Sequence, residues 1–245
     1  MSTEECCPPG SWPAVSVEYT PAGKVQPLAV EGVEGAKVYA TGDPASGKGI
    51  IVVHDVHGYD SGRLFGVCDS LASGGFFVLC PDIYEGRAVL REGGFGSETG
   101  QAFLKEQTWD KCNRFFTACH AVLASKGVSS VGALGFCWGA WPVFHEAASS
   151  RLKAAASAHP SLRVGPMLYE EAEEALAEAV TVPVLLMPAA NDPENVKEGG
   201  AIIDILTAKN GVKVREFPEM QHGWVPRGDV SDAAVAHDVT EALKV

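Results

Sequence analysis

The stretch Val131-Gly132-Ala133-Leu134-Gly135-Phe136-Cys137-Trp138-Gly139 decides the architecture. Val131 to Leu134 read as a short buried strand, and the residues after Cys137 read as a helix. Between them, Gly135-Phe136-Cys137-Trp138-Gly139 has the Gly-x-nucleophile-x-Gly form of a strand–turn–helix elbow, with Cys in place of Ser. Glycine is required at both ends because the nucleophile sits on a strained turn where strand and helix approach too closely for a side chain. A thiol there points out of the sheet, and the helix N-terminus favours the thiolate that attacks carbonyl carbon. Pro142 is tolerated near the start of that helix because first-turn N–H groups lack internal partners.

Outward from the elbow, short apolar strands alternate with helices. Upstream, Lys24 to Val30 and Ala36 to Ala40 flank Glu31-Gly32-Val33-Glu34-Gly35 and predict a hairpin at a sheet edge. Gly49 to Val53 is a β-branched run of the kind a strand buried on both faces needs. Ser61 to Ser73 can form a helix, Phe76 to Cys80 a strand, and the glycine-rich Glu85 to Gly100 a loop. Trp109, Cys112, Phe116, Cys119 and Leu123 share one helical face, with Gly127 at the C-terminal cap. Downstream, strands are expected at Ala154 to Ala158, Pro183 to Met187 and Val212 to Phe217, and helices at Asn195 to Lys209 and Ser231 to Leu243. Leu168 to Val180 places Leu168, Ala172, Ala175, Leu176 and Ala179 opposite five glutamates, which predicts a solvent-facing amphipathic helix. A hairpin followed by βα units implies α/β architecture: a mostly parallel sheet with helices on both faces. Residues 24–245 are expected to form a single domain, with 1–23 an N-terminal extension.

Composition narrows the class. The 245 residues are 46% hydrophobic, with 31 acidic and 19 basic side chains, a formal charge of −12. Such a chain can bury a core without staples, and 27 glycines with 15 prolines exclude a long coiled coil. The charge disfavours nucleic acid and anionic membranes as partners. The start of the chain has no cationic and apolar leader pattern, and the longest apolar stretch, Ala179 to Ala190, is interrupted by Pro183 and short of the ~20 residues of a spanning helix. Seven cysteines, mostly inside apolar segments, suggest a reduced, cytoplasmic setting. The vicinal Cys6 and Cys7 suit acylation or metal binding by type, but no His or second Cys pair stands nearby to complete a site.

Two further loops carry chemistry. Asp192 follows the Pro183 to Met187 strand, and His222 follows the Val212 to Phe217 strand. The order Cys, Asp, His is that of an α/β-hydrolase triad, each member at the carboxyl end of a strand, where such sheets place ligands. In that arrangement His222 takes and returns the proton, and Asp192 fixes its tautomer.

Cys137 in its elbow, Asp192, His222, His54-Asp55-Val56-His57-Gly58 and Pro81-Asp82-Ile83-Tyr84 together resemble the dienelactone hydrolase family, also called carboxymethylenebutenolidases, and are most similar to its eukaryotic members. The resemblance runs from about Lys24 to the C-terminus. It implies an α/β-hydrolase fold, Cys137 as nucleophile, and Asp55 as the acidic residue that controls ionisation of the thiol; bacterial members usually have the longer Glu there. It implies an oxyanion hole from the backbone N–H groups of Val56 and Trp138. It also implies that Arg87 and Arg227 hold a carboxylate on the substrate, a task for which a guanidinium fork is suited.

The expected activity is therefore hydrolysis of a small, carboxylate-bearing ester or lactone through a thioester, without cofactor or metal, by a monomer or weak homodimer. A catalytically silent binding or receptor-like protein on the same fold is the alternative. Sugar hydrolysis would need two carboxylates across a cleft, and no such pair stands out. His54 and His57 lie three apart on a strand and turn with no further ligand cluster, so packing or substrate contact is expected of His57 rather than metal binding. His159-Pro160-Ser161 follows a strand on the same rim and is expected to line the pocket. His120, His145 and His237 read as ordinary helix residues.

Overall fold

The sheet is built on β3, Lys48–Val53, whose side chains alternate between two apolar layers: Ile51 and Val53 enter one, Val52 the other. In the computed structural model, which describes residues 7–16, 18–89, 92–94 and 97–244, eight strands form a single sheet. They are β1 (Lys24–Pro27), β2 (Lys37–Thr41), β3, β4 (Phe77–Pro81), β5 (Ser130–Phe136), β6 (Ala154–Ala158), β7 (Val184–Met187) and β8 (Val212–Val214), in the order β1-β2-β4-β3-β5-β6-β7-β8. From β4 to β8 every pairing is parallel. The hairpin β1–β2 is antiparallel, with Lys24 opposite Ala40, and β2 runs antiparallel to β4. This is the mostly parallel α/β sheet with an N-terminal hairpin that the strand pattern implies.

Helices cover both faces. α3 (Trp109–Ser125), α4 (Ala140–Ala147), α5 (Glu173–Ala179) and α6 (Ala201–Lys209) bury Phe115, Phe116, Phe144, Ala177, Ile202 and Leu206 against one face. On the other face, α1 (Leu64–Ser73), the single turn α7 (Trp224–Arg227) and α8 (Ala233–Ala242) contribute Val67, Trp224, Val235 and Val239. Thr108 caps α3 by accepting from the Lys111 N–H, and Gly127 just beyond its end has φ 78°, the left-handed conformation expected there.

Two segments depart from the sequence pattern. The expected helix over Leu168 to Val180 is broken: Gly165–Tyr169 makes one wide turn, Glu170 turns left-handed at φ 57°, and only Glu173–Ala179 is helical. Side-chain packing explains the break. Tyr169 stacks on Trp141 with ring centroids 4.0 Å apart, and Glu171 accepts from Trp141 Nε1 and lies 2.9 Å from His145 Nε2, so the chain bends to reach α4. The glutamate run is thus not wholly a solvated face, and Asn195 engages Glu173 at 2.6 Å. A helix that the glycine-rich reading missed, α2 (Glu98–Lys105), is capped by Ser97, which accepts from the Gly100 N–H at 2.9 Å, and it buries Phe103 and Leu104.

Candidate active site

Cys137 lies where β5 meets α4, fully buried, with φ 53°. Non-glycine residues rarely hold that conformation, so the surroundings must impose it. They do. A Cβ on Gly139 would lie 2.6 Å from the Val53 carbonyl oxygen and 2.7 Å from that of His54, and a Cβ on Gly135 would collide with the Gly139 carbonyl. The elbow therefore packs directly on the end of β3, which brings Trp138 beside the His54 to Val56 segment. Val56 and Trp138 are both sealed from solvent.

The turns after β7 and β8 converge on the same place. Asp192 Oδ2 accepts from the Ala189 N–H at 2.7 Å, and its Oδ1 accepts from His222 Nδ1 at 2.6 Å. The His222 backbone N–H donates to Asn191 Oδ1 at 2.7 Å, so one short turn fixes both the carboxylate and the imidazole. On its far side, His222 Nε2 lies within 4.8 Å of the Cys137 sulfur. Burial pulls the imidazolium down, but the Cys137 and Asp192 charges outweigh it and raise His222 to about 9.

His159, at the end of β6 with φ 41°, sets its ring edge-on to His222 at 4.9 Å. Burial and the neighbouring His222 and Arg227 charges push it well below the ordinary histidine range, so it stays neutral. Ser161 Oγ lies 3.6 Å from Cys137 Sγ. His54 is buried, lowered by desolvation to about 4, and packed between Tyr84 and Trp138. His120 and His145 do more than ride on helices: they meet Glu146 and Glu171 at 2.8 and 2.9 Å.

The expected substrate anchors separate. Arg227 is buried and pairs with Asp55, while its Nε donates to the Trp12 carbonyl at 2.9 Å. Its Nη2 is buried with no hydrogen-bond partner. Asp55 uses its other oxygen to accept from the His57 N–H at 2.8 Å. Burial alone would raise the Asp55 carboxyl, but Arg227 and His57 hold it below the usual carboxylate range. Arg87, by contrast, is 42% exposed and bonded to Glu92 and Glu106 at 3.1 and 2.9 Å. Its guanidinium lies over Phe103, and Phe103 and then Tyr84 stand between it and Trp138. The short loop after β4 gives Arg87 surface carboxylates as partners, whereas Arg227 is buried against Asp55.

The N-terminal segment supplies residues that the sequence pattern did not place at the site. The Trp12 N–H donates to the His222 carbonyl at 2.9 Å, and Asn191 Nδ2 donates to the Pro9 carbonyl at 2.9 Å. These bonds hold Cys7 Sγ 3.7 Å from Cys137 Sγ. Its neighbour Cys6 lies outside the described residues. Nothing in local sequence distance links position 7 to position 137; only the unusual Cys-Cys-Pro-Pro-Gly composition marks the segment. Among the described residues, no helix is long and apolar enough to cross a membrane.

Comparison with known proteins agrees with this architecture. A family model described as the dienelactone hydrolase family matches residues 36–244. A carboxymethylenebutenolidase homolog of Mus musculus is 29% identical over 213 residues, covering 80% of this chain and 78% of its own. An uncharacterized AIM2 family protein of Schizosaccharomyces pombe is 27% identical over 245 residues, covering 93% of this chain and 90% of its own. In structure, a putative dienelactone hydrolase from Klebsiella pneumoniae superposes with a TM-score of 0.68 at 19% identity, over 91% of this chain and 98% of that one.

Proposed function

The chain belongs to the dienelactone hydrolase family, and from that premise we propose that it hydrolyses a small ester or lactone with Cys137 as nucleophile, His222 as acid and base, and Asp192 as the orienting carboxylate. The observation that carries this reading is the strained Cys137 turn within 4.8 Å of His222 Nε2, with Asp192 on the opposite ring nitrogen.

In the proposed reaction the Cys137 thiolate attacks the carbonyl carbon, and the oxyanion is received by the backbone N–H groups of Val56 and Trp138. Backbone dipoles suit this task because they need no reorganisation as charge develops. The His222 imidazolium gives its proton to the departing alkoxide and leaves a thioester. Neutral His222 then takes a proton from water, hydroxide attacks the thioester, and the acid departs as the thiolate re-forms. Asp192 keeps the proton on Nδ1 throughout.

Substrate preference rests on Arg227. Its charge is already balanced by Asp55, and its buried Nη2 offers one donor for a carboxylate or carbonyl oxygen on the substrate. Asp55, with one oxygen on Arg227 and the other on the His57 N–H, would influence the thiol through this pair. Arg87 has no part in the proposal.

Cys137→Ala should abolish hydrolysis of activated esters with an unchanged unfolding temperature; unchanged hydrolysis would sink the mechanism. A catalytically silent binding protein is separated by alkylation. The hydrolase should take up one equivalent of iodoacetamide at Cys137 faster than a free thiol does, whereas an inert scaffold has no reason to keep an activated thiol.

A further inference from the structure

Among the described residues, one group of three or more Cys, His or acidic side chains is placed to hold a metal ion: Cys7, Cys137 and His222. Their donor atoms, two sulfurs and one imidazole nitrogen, all lie within 4.8 Å of one another. We propose that these three residues form a binding site for a thiophilic divalent cation, zinc above all, which the N-terminal segment completes and which silences the nucleophile when filled.

Three features of the geometry support this. First, the sulfurs are 3.7 Å apart. Two thiolates bound to one zinc at about 2.3 Å in a tetrahedral arrangement are about 3.8 Å apart, so the pair already spans one edge of such a site. Second, His222 donates its Nδ1 proton to Asp192, so the buried Nε2 is directed away from the carboxylate and becomes a ligand when the imidazolium gives up its second proton. A histidine ligand backed by a carboxylate on its other nitrogen is the usual outer arrangement of a zinc site, fixing ring orientation and raising basicity. Third, the charges balance. Two thiolates neutralise a divalent cation, and the nearby Arg227 is compensated by Asp55. Binding displaces the Nε2 proton of the His222 imidazolium and any thiol protons still present, and it forms two S–metal bonds and one N–metal bond with no change of oxidation state. Two Cys and one His leave a fourth position for water.

The segment bearing Cys7 is held for this purpose by bonds outside the metal group: Pro9 to Asn191, Trp12 to His222, and Trp12 to Arg227. Binding does not depend on the hydrolase reading, but the inhibition rests on it, since the ion would occupy both the proposed nucleophile and the proposed base.

The full-length protein, reduced with a phosphine that does not chelate, is titrated with zinc chloride against a chromophoric chelator, beside Cys7→Ser. We expect one tight equivalent in the wild type and at least a tenfold loss of affinity in Cys7→Ser. Cobalt chloride supplies the structural signature: a near-ultraviolet thiolate-to-cobalt band in the wild type, reduced by about half in Cys7→Ser. Zinc should inhibit ester hydrolysis at the concentration that fills the site, and Cys7→Ser, normalised to its own metal-free rate, should need at least tenfold more. Equal affinity in the two proteins overturns the proposal, as does absence of the cobalt band or a Cys7–Cys137 disulfide that forms in place of metal uptake. A protein with the full cobalt signature but no esterase activity would retain the metal site and remove the hydrolase instead.

Discussion

His222 and Asp192 meet through a 2.6 Å hydrogen bond between two side chains with no solvent exposure, although thirty residues separate them in the chain. The bond fixes the tautomer, and the buried carboxylate helps to keep the ring protonated. Replacing Asp192 by Asn removes that charge while leaving a similar shape. kcat on alkyl esters should fall by about 10² to 10⁴, while the circular dichroism spectrum stays unchanged. A loss smaller than tenfold would deny Asp192 its role.

The raised His222 pKa gives the pH profile a direction. Its folded value of about 9 lies above the ordinary histidine value, so the imidazolium persists at neutral pH and is lost as pH rises through about 9. With a chelator present, kcat/KM on esters with poor leaving groups should decline along an alkaline limb near that pH. Aryl esters, whose leaving groups need no proton, should show little decline. The limb should move to lower pH in Asp192→Asn. Identical limbs for the two ester types would take proton donation away from His222.

Breaking the Asp55–Arg227 pair should cost stability rather than only activity, because Arg227 would remain buried without its counter-charge. Asp55→Asn should lower unfolding free energy by about 3–5 kcal/mol in urea at pH 7. The sign with pH follows from the lowered Asp55 pKa. The unfolded state takes up the proton first, so the stabilisation is present above about pH 4 and lost as pH falls through the folded value. The wild type should therefore lose stability on acidification more steeply than Asp55→Asn.

Arg87, bonded to Glu92 and Glu106 at the surface, should be dispensable for substrate binding. Arg87→Ala is expected to change stability by no more than about 1 kcal/mol and to leave KM unchanged within about twofold for both carboxylate-bearing and neutral esters. A tenfold rise confined to carboxylate-bearing esters would return Arg87 to the pocket.

The elbow itself predicts a folding defect. In Gly139→Ala the new methyl group must displace the carbonyls of Val53 and His54 at the end of β3. These are backbone atoms at and just beyond the strand end, where Val53 is held by pairing with Gly135 of β5, so the mutant should lose about 1–3 kcal/mol or more, read as a lowered unfolding temperature. An unchanged temperature would show that the elbow is looser than its crowding suggests.

Much of this protein is legible in sequence because the information is local. β-branched runs mark β3, and Gly-Phe-Cys-Trp-Gly after a strand marks a strained turn; Cys137, Asp192 and His222 follow β5, β7 and β8. The misreadings have one local and one distant cause. Glu98–Lys105 was hidden by the glycines around it, and the helix over Leu168 to Val180 was broken by Trp141 and His145, partners about thirty residues away whose pull no periodicity records.

The sequence by itself determined the parallel sheet, the elbow and the identities of the three converging residues, because period, spacing and turn chemistry act between near neighbours. Only the tertiary structure decided which arginine is buried and which lies at the surface, since their partners, Asp55 for Arg227 and Glu92 with Glu106 for Arg87, depend on how distant segments pack. It alone set Cys7 against Cys137, because contact across 130 residues is made by hydrogen bonds to strand-end loops and leaves no pattern along the chain.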